Sequence, residues 1–267
     1  MDELEPLIAA VHKSAKYARV STEVIRNVGA RELAARHSLK EAIKATKKKL
    51  HQVGGAYLDE SIEYSRWELA LQTAADSGDP EQLRCVCLQM MQCHASTRER
   101  LPILGEFYAR VLQGLPPVHT VLDLACGLNP LALPWMGLAA GVRYYAYDMY
   151  LDMAGFLNRF FERLGIQGEA VACDVIQAPP TQHADLAMLL KALPCLEQLD
   201  RLASARLLDG LQAQYLLVSF PVRSLGGRDK RMTENYEVHF RELVSGRPWQ
   251  VQRFAFSTEL AFLVRKG

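Results

Sequence analysis

The chain has 267 residues, a formal net charge of +1, 49% hydrophobic and 23% charged residues, which describes an ordinary globular protein of one large domain, or one domain with an extension. No apolar run reaches the ~18 residues of a membrane-spanning helix, and the acidic Met1-Asp2-Glu3-Leu4-Glu5 lacks the apolar stretch of a signal peptide. A cytoplasmic protein without a membrane partner is expected. Its six cysteines, Cys85, Cys87, Cys93, Cys126, Cys173 and Cys195, form no C-x-x-C pair, so they read as reduced core thiols and no metal site is expected.

Charge is unevenly placed. Residues 10–55 hold eleven Lys and Arg against three Asp and Glu, a local +8, whereas residues 56–267 hold twenty against twenty-four, a local −4. Such asymmetry points to a polyanionic partner for the N-terminal part. In the first helix Leu4, Leu7, Ile8 and Val11 share a face. Ser21 or Thr22 caps a second, with Val24, Ile25 and Val28 inward. Ser38-Leu39-Lys40-Glu41 is a capping box opening a third helix, whose apolar stripe is Leu39, Ala42, Ile43 and Leu50. Lys40, Lys44, Lys47 and Lys48 share its opposite face. Like charges so spaced repel, and phosphate binding is the use that compensates. Gly54-Gly55 is expected to stop this helix. Asp59 or Ser61 starts another, and residues 81–93 form one more. Ser96 and Glu99 form a second capping box, for a helix carrying Leu101, Leu104, Phe107, Val111 and Leu112. Gly114-Leu115-Pro116-Pro117 ends it and marks a domain junction, so residues 1–115 read as a basic helical extension and 116–267 as the catalytic domain.

From residue 118 the pattern alternates. Strands are expected at 120–125, 142–147, 169–173, 185–190 and 214–220, with helices near 130–139, 150–164, 196–212 and 234–244. Residues 249–256 and 258–265 then read as two strands joined by a short turn. Parallel alternation closed by an antiparallel hairpin is the pattern of a seven-stranded methyltransferase sheet.

The most informative stretch is Val121-Leu122-Asp123-Leu124-Ala125-Cys126-Gly127-Leu128-Asn129-Pro130. Four mostly apolar residues form a buried strand. Small residues follow, and Pro130 suits a first helical turn. This is where open α/β sheets bind nucleotides. With one Gly in the turn there is no G-x-G-x-x-G fingerprint and no P-loop. A single-Gly turn gives a nucleoside close backbone approach but offers a pyrophosphate little, so S-adenosylmethionine fits better than NAD or ATP. Asp148 ends the second strand, 21 residues after Gly127, where a carboxylate can accept both ribose hydroxyls or can cap the next helix. Asp174 ends the third, where it can accept from the adenine amine, with the Val175 amide facing a ring nitrogen. Leu190 and Lys191 end the fourth, at the wall of the methyl-donor site.

Three stretches sharpen this reading: His94-Ala95-Ser96-Thr97-Arg98-Glu99-Arg100, Leu122 through Leu133, and Ser219-Phe220-Pro221-Val222-Arg223-Ser224-Leu225-Gly226-Gly227-Arg228. Together with Gly54-Gly55-Ala56-Tyr57 and Leu193-Pro194, they closely resemble the aminoglycoside-resistance 16S ribosomal RNA (guanine-N7)-methyltransferases. That family comprises the Arm/Rmt group and the self-protection enzymes of aminoglycoside producers. The resemblance implies a Rossmann-like, seven-stranded SAM-dependent methyltransferase with an N-terminal α-helical extension that helps dock the assembled 30S subunit. The product it implies is N7-methylguanosine in the decoding-site helix of 16S rRNA, which blocks aminoglycosides of the kanamycin and gentamicin type. Carried over residue by residue, it places Tyr57, His94, Ala95, Ser96 and Arg100 around the methyl donor. Arg100 would hold the methionine carboxylate. Ala125 and Gly127 would pass close to the methionine part, Asp148 would take the ribose, and Asp174, Val175 and Leu190 the adenine.

Guanine N7 carries a free in-plane lone pair, so no general base is expected and catalysis rests on positioning. The base must be presented to the methyl group, by flipping from its helix at a cost of a few kcal/mol. The 219–231 segment is the candidate for base capture, with Arg223, Arg228, Lys230 and Arg231 for phosphates. Phe220 or Tyr236 could stack on the base, although Phe220 closes an apolar strand and reads better as core. A monomer is expected. The competing readings are a methyltransferase for another decoding-site base (adenine N1), a small-molecule methyltransferase, and a ribosome-binding protein that keeps the fold without the chemistry.

Overall fold

In a computed structural model of the chain, residues 3–58, 62–222 and 232–267 are described. Seven strands, β1 (Thr120–Leu124), β2 (Arg143–Asp148), β3 (Gln167–Ala172), β4 (Ala184–Leu190), β5 (Ala213–Pro221), β6 (Gln250–Ala255) and β7 (Glu259–Arg265), form one sheet. Their order is β3-β2-β1-β4-β5-β7-β6. The first five pair in parallel, and β7 runs antiparallel to both β5 and β6. All seven expected strands are present, each within two residues of the expected ends. The chain leaves β1 for β2 and β3, then returns to β4 on the other side of β1. This reversal opens a crevice at the carboxyl ends of β1 and β4, where open α/β sheets take their ligands.

Every residue of β1 is buried, as expected for a central parallel strand covered on both faces. Side chains alternate between the faces. Val121 packs into a core with α9 (Leu151–Arg163), while Leu122 and Leu124 join the opposite core. That second core holds α10 (Leu193–Leu199), α11 (Ala203–Gly210) and α12 (Met232–Val244). On α9 the fully buried Phe156, Phe160 and Phe161 each contribute about 1.5–3 kcal/mol relative to exposure. The edge strand β6 exposes Gln250, Gln252 and Arg253, a polar rim that discourages edge-to-edge pairing.

The extension consists of α1 (Leu4–His12), α2 (Thr22–Ala35), α3 (Leu39–Leu50), α4 (Tyr64–Asp76), α5 (Pro80–Met91), α6 (Ala95–Arg100) and α7 (Leu104–Val111). Leu7, Ile8 and Val11 of α1 and Val24, Ile25 and Val28 of α2 are buried, as the periodicity predicts. They share one continuous core with α9 and that face of the sheet. Main-chain bonds join the two regions as well: Ser21 N–H donates to Met149 O and Leu151 N–H to Arg19 O, each at 2.8 Å.

Local signals were overridden at four places. Gly54-Gly55 does not stop α3. The chain continues through a π-helical turn, His51–Gly55. A Cβ at Gly54 would lie 2.6 Å from Met149 Sδ and 2.8 Å from Tyr150 Oη, so this glycine serves a close approach to the segment after β2. The Ser96/Glu99 capping box does not form either, because His94 is the N-cap of α6 and Glu99 pairs with Lys191 instead. The helix expected at 196–212 is two helices. Asp200 is extended, at φ −149°, and its Oδ1 accepts from Leu202 N–H at 3.0 Å. The helix expected at 130–139 is a 3-10 turn, Asn129–Ala132, and one turn of α8 (Leu133–Met136), which ends where Gly137 turns left-handed at φ +57°. At α3 the Ser38 cap does form, its Oγ accepting from Glu41 N–H at 3.3 Å. Asp59 and Ser61 lie outside the described residues, and α4 begins at Tyr64. The cysteines are free among the described residues, although only Cys87, Cys126 and Cys195 are buried and Cys85 is exposed.

Candidate active site

The turn after β1 bends twice through left-handed backbone, at Ala125 (φ +49°) and Gly127 (φ +52°). Ala125 accepts this conformation at a cost that its surroundings must offset. Gly127 serves a second need as well. A Cβ there would lie 2.7 Å from the His94 ring, so glycine alone permits both the dihedral and the contact. The Gly127 amide donates to Asp148 Oδ2 at 2.8 Å, and Met149 N–H donates to Oδ1 at 2.7 Å. Burial pushes the Asp148 carboxyl up, against these backbone bonds that pull it down. The β1 turn and the end of β2 are therefore tied together by the carboxylate itself.

Asp174 is fixed more firmly. Its Oδ1 accepts from Ile176 N–H at 3.0 Å and Gln177 N–H at 3.3 Å, and its Oδ2 accepts from Asn27 Nδ2 at 2.9 Å. Asn27 belongs to α2, in the extension.

Ala125, Asp148 and Asp174 border one cavity at the crevice, open in part to solvent, whereas Gly127 lies behind its lining. Its place at the carboxyl ends of the strands is where open α/β sheets take small ligands. Of the expected donor-binding residues, Tyr57, His94, Ser96, Ala125, Asp148, Asp174, Val175 and Leu190 line it. The extension supplies Val24, Val53 and Gly54 to the wall, and α10 supplies Cys195, Leu196 and Leu199. Sequence reasoning missed these, because nothing local in α2 or α10 signals that an apolar residue faces a ligand and not a core.

One end of the cavity is organised by His94. Its ring stacks with Tyr57 at 6.1 Å between centroids, and Nδ1 lies 3.1 Å from Ser96 Oγ. Ala95 N–H donates to Tyr57 O at 2.7 Å, which places Ala95 in the scaffold between the two rings. It does not border the cavity. Burial, reinforced by Lys191, Arg100 and Arg98, pushes the His94 imidazole down to about 3, so the ring is neutral at physiological pH. The Cys195 thiol donates to Tyr57 Oη at 3.0 Å, linking α10 to the extension across the cavity.

Behind this end lies a buried charge cluster. Arg100, 1% exposed, donates through Nε and Nη2 to Glu259 at 2.7–3.2 Å and through Nη1 to Asn129 Oδ1 at 2.8 Å. Glu259 is 0% exposed. Burial pushes its carboxyl up, but Arg100 and Lys191 outweigh this and hold it below the usual carboxylate range. Lys191, itself left-handed at φ +58°, donates to Ser96 O at 3.0 Å and Glu99 Oε2 at 2.9 Å, and its Nζ lies 3.4 Å from Glu259. Asn129 in turn donates to Asp123 Oδ2 at 2.9 Å, as does Tyr144 Oη at 2.7 Å. Burial raises the Asp123 carboxyl to about 6. Arg100 thus has a protein carboxylate as its partner and does not border the cavity, whereas Lys191 does. No local signal pairs Arg100 with Glu259 across 159 positions.

The expected RNA-facing residues divide. On α3, Lys40, Lys44 and Lys48 are exposed, one turn apart, and Lys47 is half-buried. Lys49, which the pattern leaves out, donates to Gln198 O of α10 at 2.6 Å. Arg223, Arg228, Lys230 and Arg231 lie outside the described residues. Phe220 is fully buried, as expected. Half-buried Tyr236 stacks on it at 5.0 Å. Among the described residues no cluster of metal-ligating side chains occurs, and no helix is long and apolar enough to cross a membrane.

Comparison with known proteins agrees with this geometry. The family model described as ribosomal RNA methyltransferase (FmrO) matches residues 13–263. A 16S rRNA (guanine(1405)-N(7))-methyltransferase of Micromonospora echinospora is 36% identical over 99% of this chain and 97% of its own. One of the same description from Frankia casuarinae is 39% identical over 96% of this chain and 91% of its own. The crystal structure of the 16S rRNA methyltransferase RmtF with S-adenosyl-L-homocysteine superposes with a TM-score of 0.85 at 32% identity, covering 100% of this chain and 99% of that one. The fold is the Rossmann-like one of SAM-dependent methyltransferases, and the chain belongs to the FmrO family of ribosomal RNA methyltransferases.

Proposed function

We infer that this protein transfers the methyl group of S-adenosylmethionine to N7 of guanine 1405 of 16S rRNA in the assembled 30S subunit, and thereby confers resistance to aminoglycosides of the kanamycin and gentamicin type. The observation that carries this reading is the cavity at the β1/β4 crevice. It gathers acceptor carboxylates at one side and a neutral imidazole with a buried cation at the other.

The residues present fit the donor. Asp148 accepts from the ribose hydroxyls. Asp174 accepts from the adenine amine, with Val175 and Leu190 along the ring. The left-handed backbone at Ala125 and Gly127 brings the main chain close to the methionine part, beside Tyr57, His94 and Ser96. The methionine carboxylate belongs at the cationic end. Arg100 serves there through the cluster it forms with Glu259 and Lys191, since each of its three nitrogens already donates to Glu259 or Asn129. When bound, S-adenosylmethionine supplies an electrophilic methyl on a sulfonium. Guanine N7 attacks that carbon with its lone pair as the carbon–sulfur bond breaks, so the sulfur leaves as a thioether and the positive charge passes to the guanine ring. No proton moves, and no side chain acts as a base. Neutral His94 adds no cation beside the sulfonium. Rate comes from holding the two reactants in line.

Lys40, Lys44 and Lys48 on α3, with Lys47 beside them, meet rRNA phosphates. Arg223, Arg228, Lys230 and Arg231, which lie outside the described residues, are assigned to rRNA phosphates from the sequence alone. We place the working unit as a cytoplasmic monomer.

The test is methylation of purified 30S subunits with S-adenosylmethionine, followed by borohydride reduction, aniline cleavage and primer extension. A single stop at guanine 1405 is expected. Methyl transfer without a stop would move the target to another atom or base, such as adenine N1. No transfer to either 30S or naked rRNA would favour a binding protein without catalysis.

A further inference from the structure

The extension reaches into nucleoside recognition. Asp174 lines the cavity, and Val24 of α2 lines it beside Asp174. One turn further along α2, Asn27 does not border the cavity but directs its amide at Asp174 from behind, Nδ2 to Oδ2 at 2.9 Å. Oδ1 is held separately by two main-chain amides. All three partners are donors. A carboxyl group so surrounded is held as an acceptor on both oxygens, and it cannot rotate without losing a bond. Removing Asn27 would release Oδ2, the oxygen that the main chain does not hold, while leaving the Asx-type turn of Oδ1 intact.

We propose that Asn27 is a positioning and specificity-determining residue: it fixes Asp174 Oδ2 as an acceptor toward the ligand, so that the pocket selects a purine bearing an exocyclic amine over one bearing a keto oxygen at the same place. This rests on the reading of Asp174 as the adenine acceptor. A keto oxygen opposite the fixed carboxylate would meet a second acceptor, with neither group able to donate, and the loss of that hydrogen bond penalises the wrong base. The selecting element is therefore divided between the sheet and the helical extension, 147 positions apart in sequence.

The experiment is calorimetric titration of the full chain with S-adenosylhomocysteine and with S-inosylhomocysteine, in which a keto oxygen replaces the amine and ring N1 carries a hydrogen; the change that each variant makes in the ratio of the two affinities is the readout. Wild type is expected to favour the adenosyl ligand. Asn27→Ala, and Asn27→Leu as the variant that preserves volume, should weaken adenosyl binding about five- to tenfold, as expected for one ordered hydrogen bond. Both should leave inosyl binding unchanged, so the preference narrows. A structural role alone would lower both affinities together and leave their ratio intact, which overturns the proposal, as would unaltered adenosyl binding in both variants. Asp174→Ala separates the two levels. If it weakens adenosyl binding while the Asn27 variants do not, this inference falls and the pocket reading stands. If Asp174→Ala leaves adenosyl binding unchanged, the pocket reading falls and this inference with it.

Discussion

His94 shows how much one side chain can be asked to do when it is desolvated. It lies against the Ser96 hydroxyl, stacks on Tyr57, excludes any residue but glycine at 127, and stays neutral because burial and three nearby cations, Lys191, Arg100 and Arg98, disfavour the imidazolium. Its folded value near 3 lies below the unfolded 6.5, so the unfolded chain takes up the proton first as pH falls. The stability this provides is complete above about 6.5 and is lost progressively toward 3. Thermal melting between pH 7 and 4.5 should therefore show a declining midpoint. His94→Asn, which keeps a polar atom near Ser96 without a titrating ring, should flatten that decline. Parallel curves for the two proteins would mean that other groups carry the acid sensitivity. Arg100 behaves differently. Its place in a motif pointed to a ligand, but the structure gives it Glu259, an ion pair with both side chains at or below 1% exposure. Removing either partner would strand a buried charge.

At the scale of elements, α3 has two faces with separate duties. Ala42, Thr46 and Leu50 are buried, while Lys40, Lys44 and Lys48 project outward without an ion pair to any other described residue. Like charges at this spacing repel one another, which accords with the proposed contact to rRNA phosphates. Replacing all three with Ala should weaken binding to 30S subunits and reduce the salt dependence of that binding by a slope of about 2–3, close to one for each phosphate no longer neutralised. Affinity for S-adenosylhomocysteine should be unaffected. An unchanged salt slope would make these lysines an ordinary solvated face. Two helices broke the expected pattern for local reasons: left-handed Gly137 ended α8, and Asp200 divided a periodic stretch into α10 and α11.

The molecule as a whole does not separate where composition changes. Gly114-Leu115-Pro116-Pro117 looks like a junction, and charge shifts sign across the chain. Yet the extension shares a continuous core with α9 and one face of the sheet. It also supplies Val24, Val53, Gly54, Tyr57, His94 and Ser96 to the cavity wall. Residues 116–267 produced alone should consequently fail to bind S-adenosylhomocysteine, and should expose the apolar face that α1 and α2 cover. Circular dichroism and calorimetry would check both points. A soluble fragment that binds with undiminished affinity would return the extension to a pure docking role.

The features legible in the amino-acid order are local or periodic. The seven strands follow from buried apolar runs and their alternation with helices. The ligand edge follows from the small residues after β1 and the carboxylates that end β2 and β3. The lysine face of α3 follows from helical spacing. Each depends on neighbours within a few residues, where chain geometry is nearly fixed. Which distant groups meet is settled only when the chain packs. Arg100 finds Glu259, Lys191 finds Glu99 and Glu259, Asn27 finds Asp174, and Gly54 admits Met149 and Tyr150. These pairings join elements through packing of the shared core, and no periodicity encodes a partner so far along the chain. A buried polar group must find its counterpart wherever the fold brings one. For that reason the outline of the cavity was legible in the sequence, but the network that orients it was not.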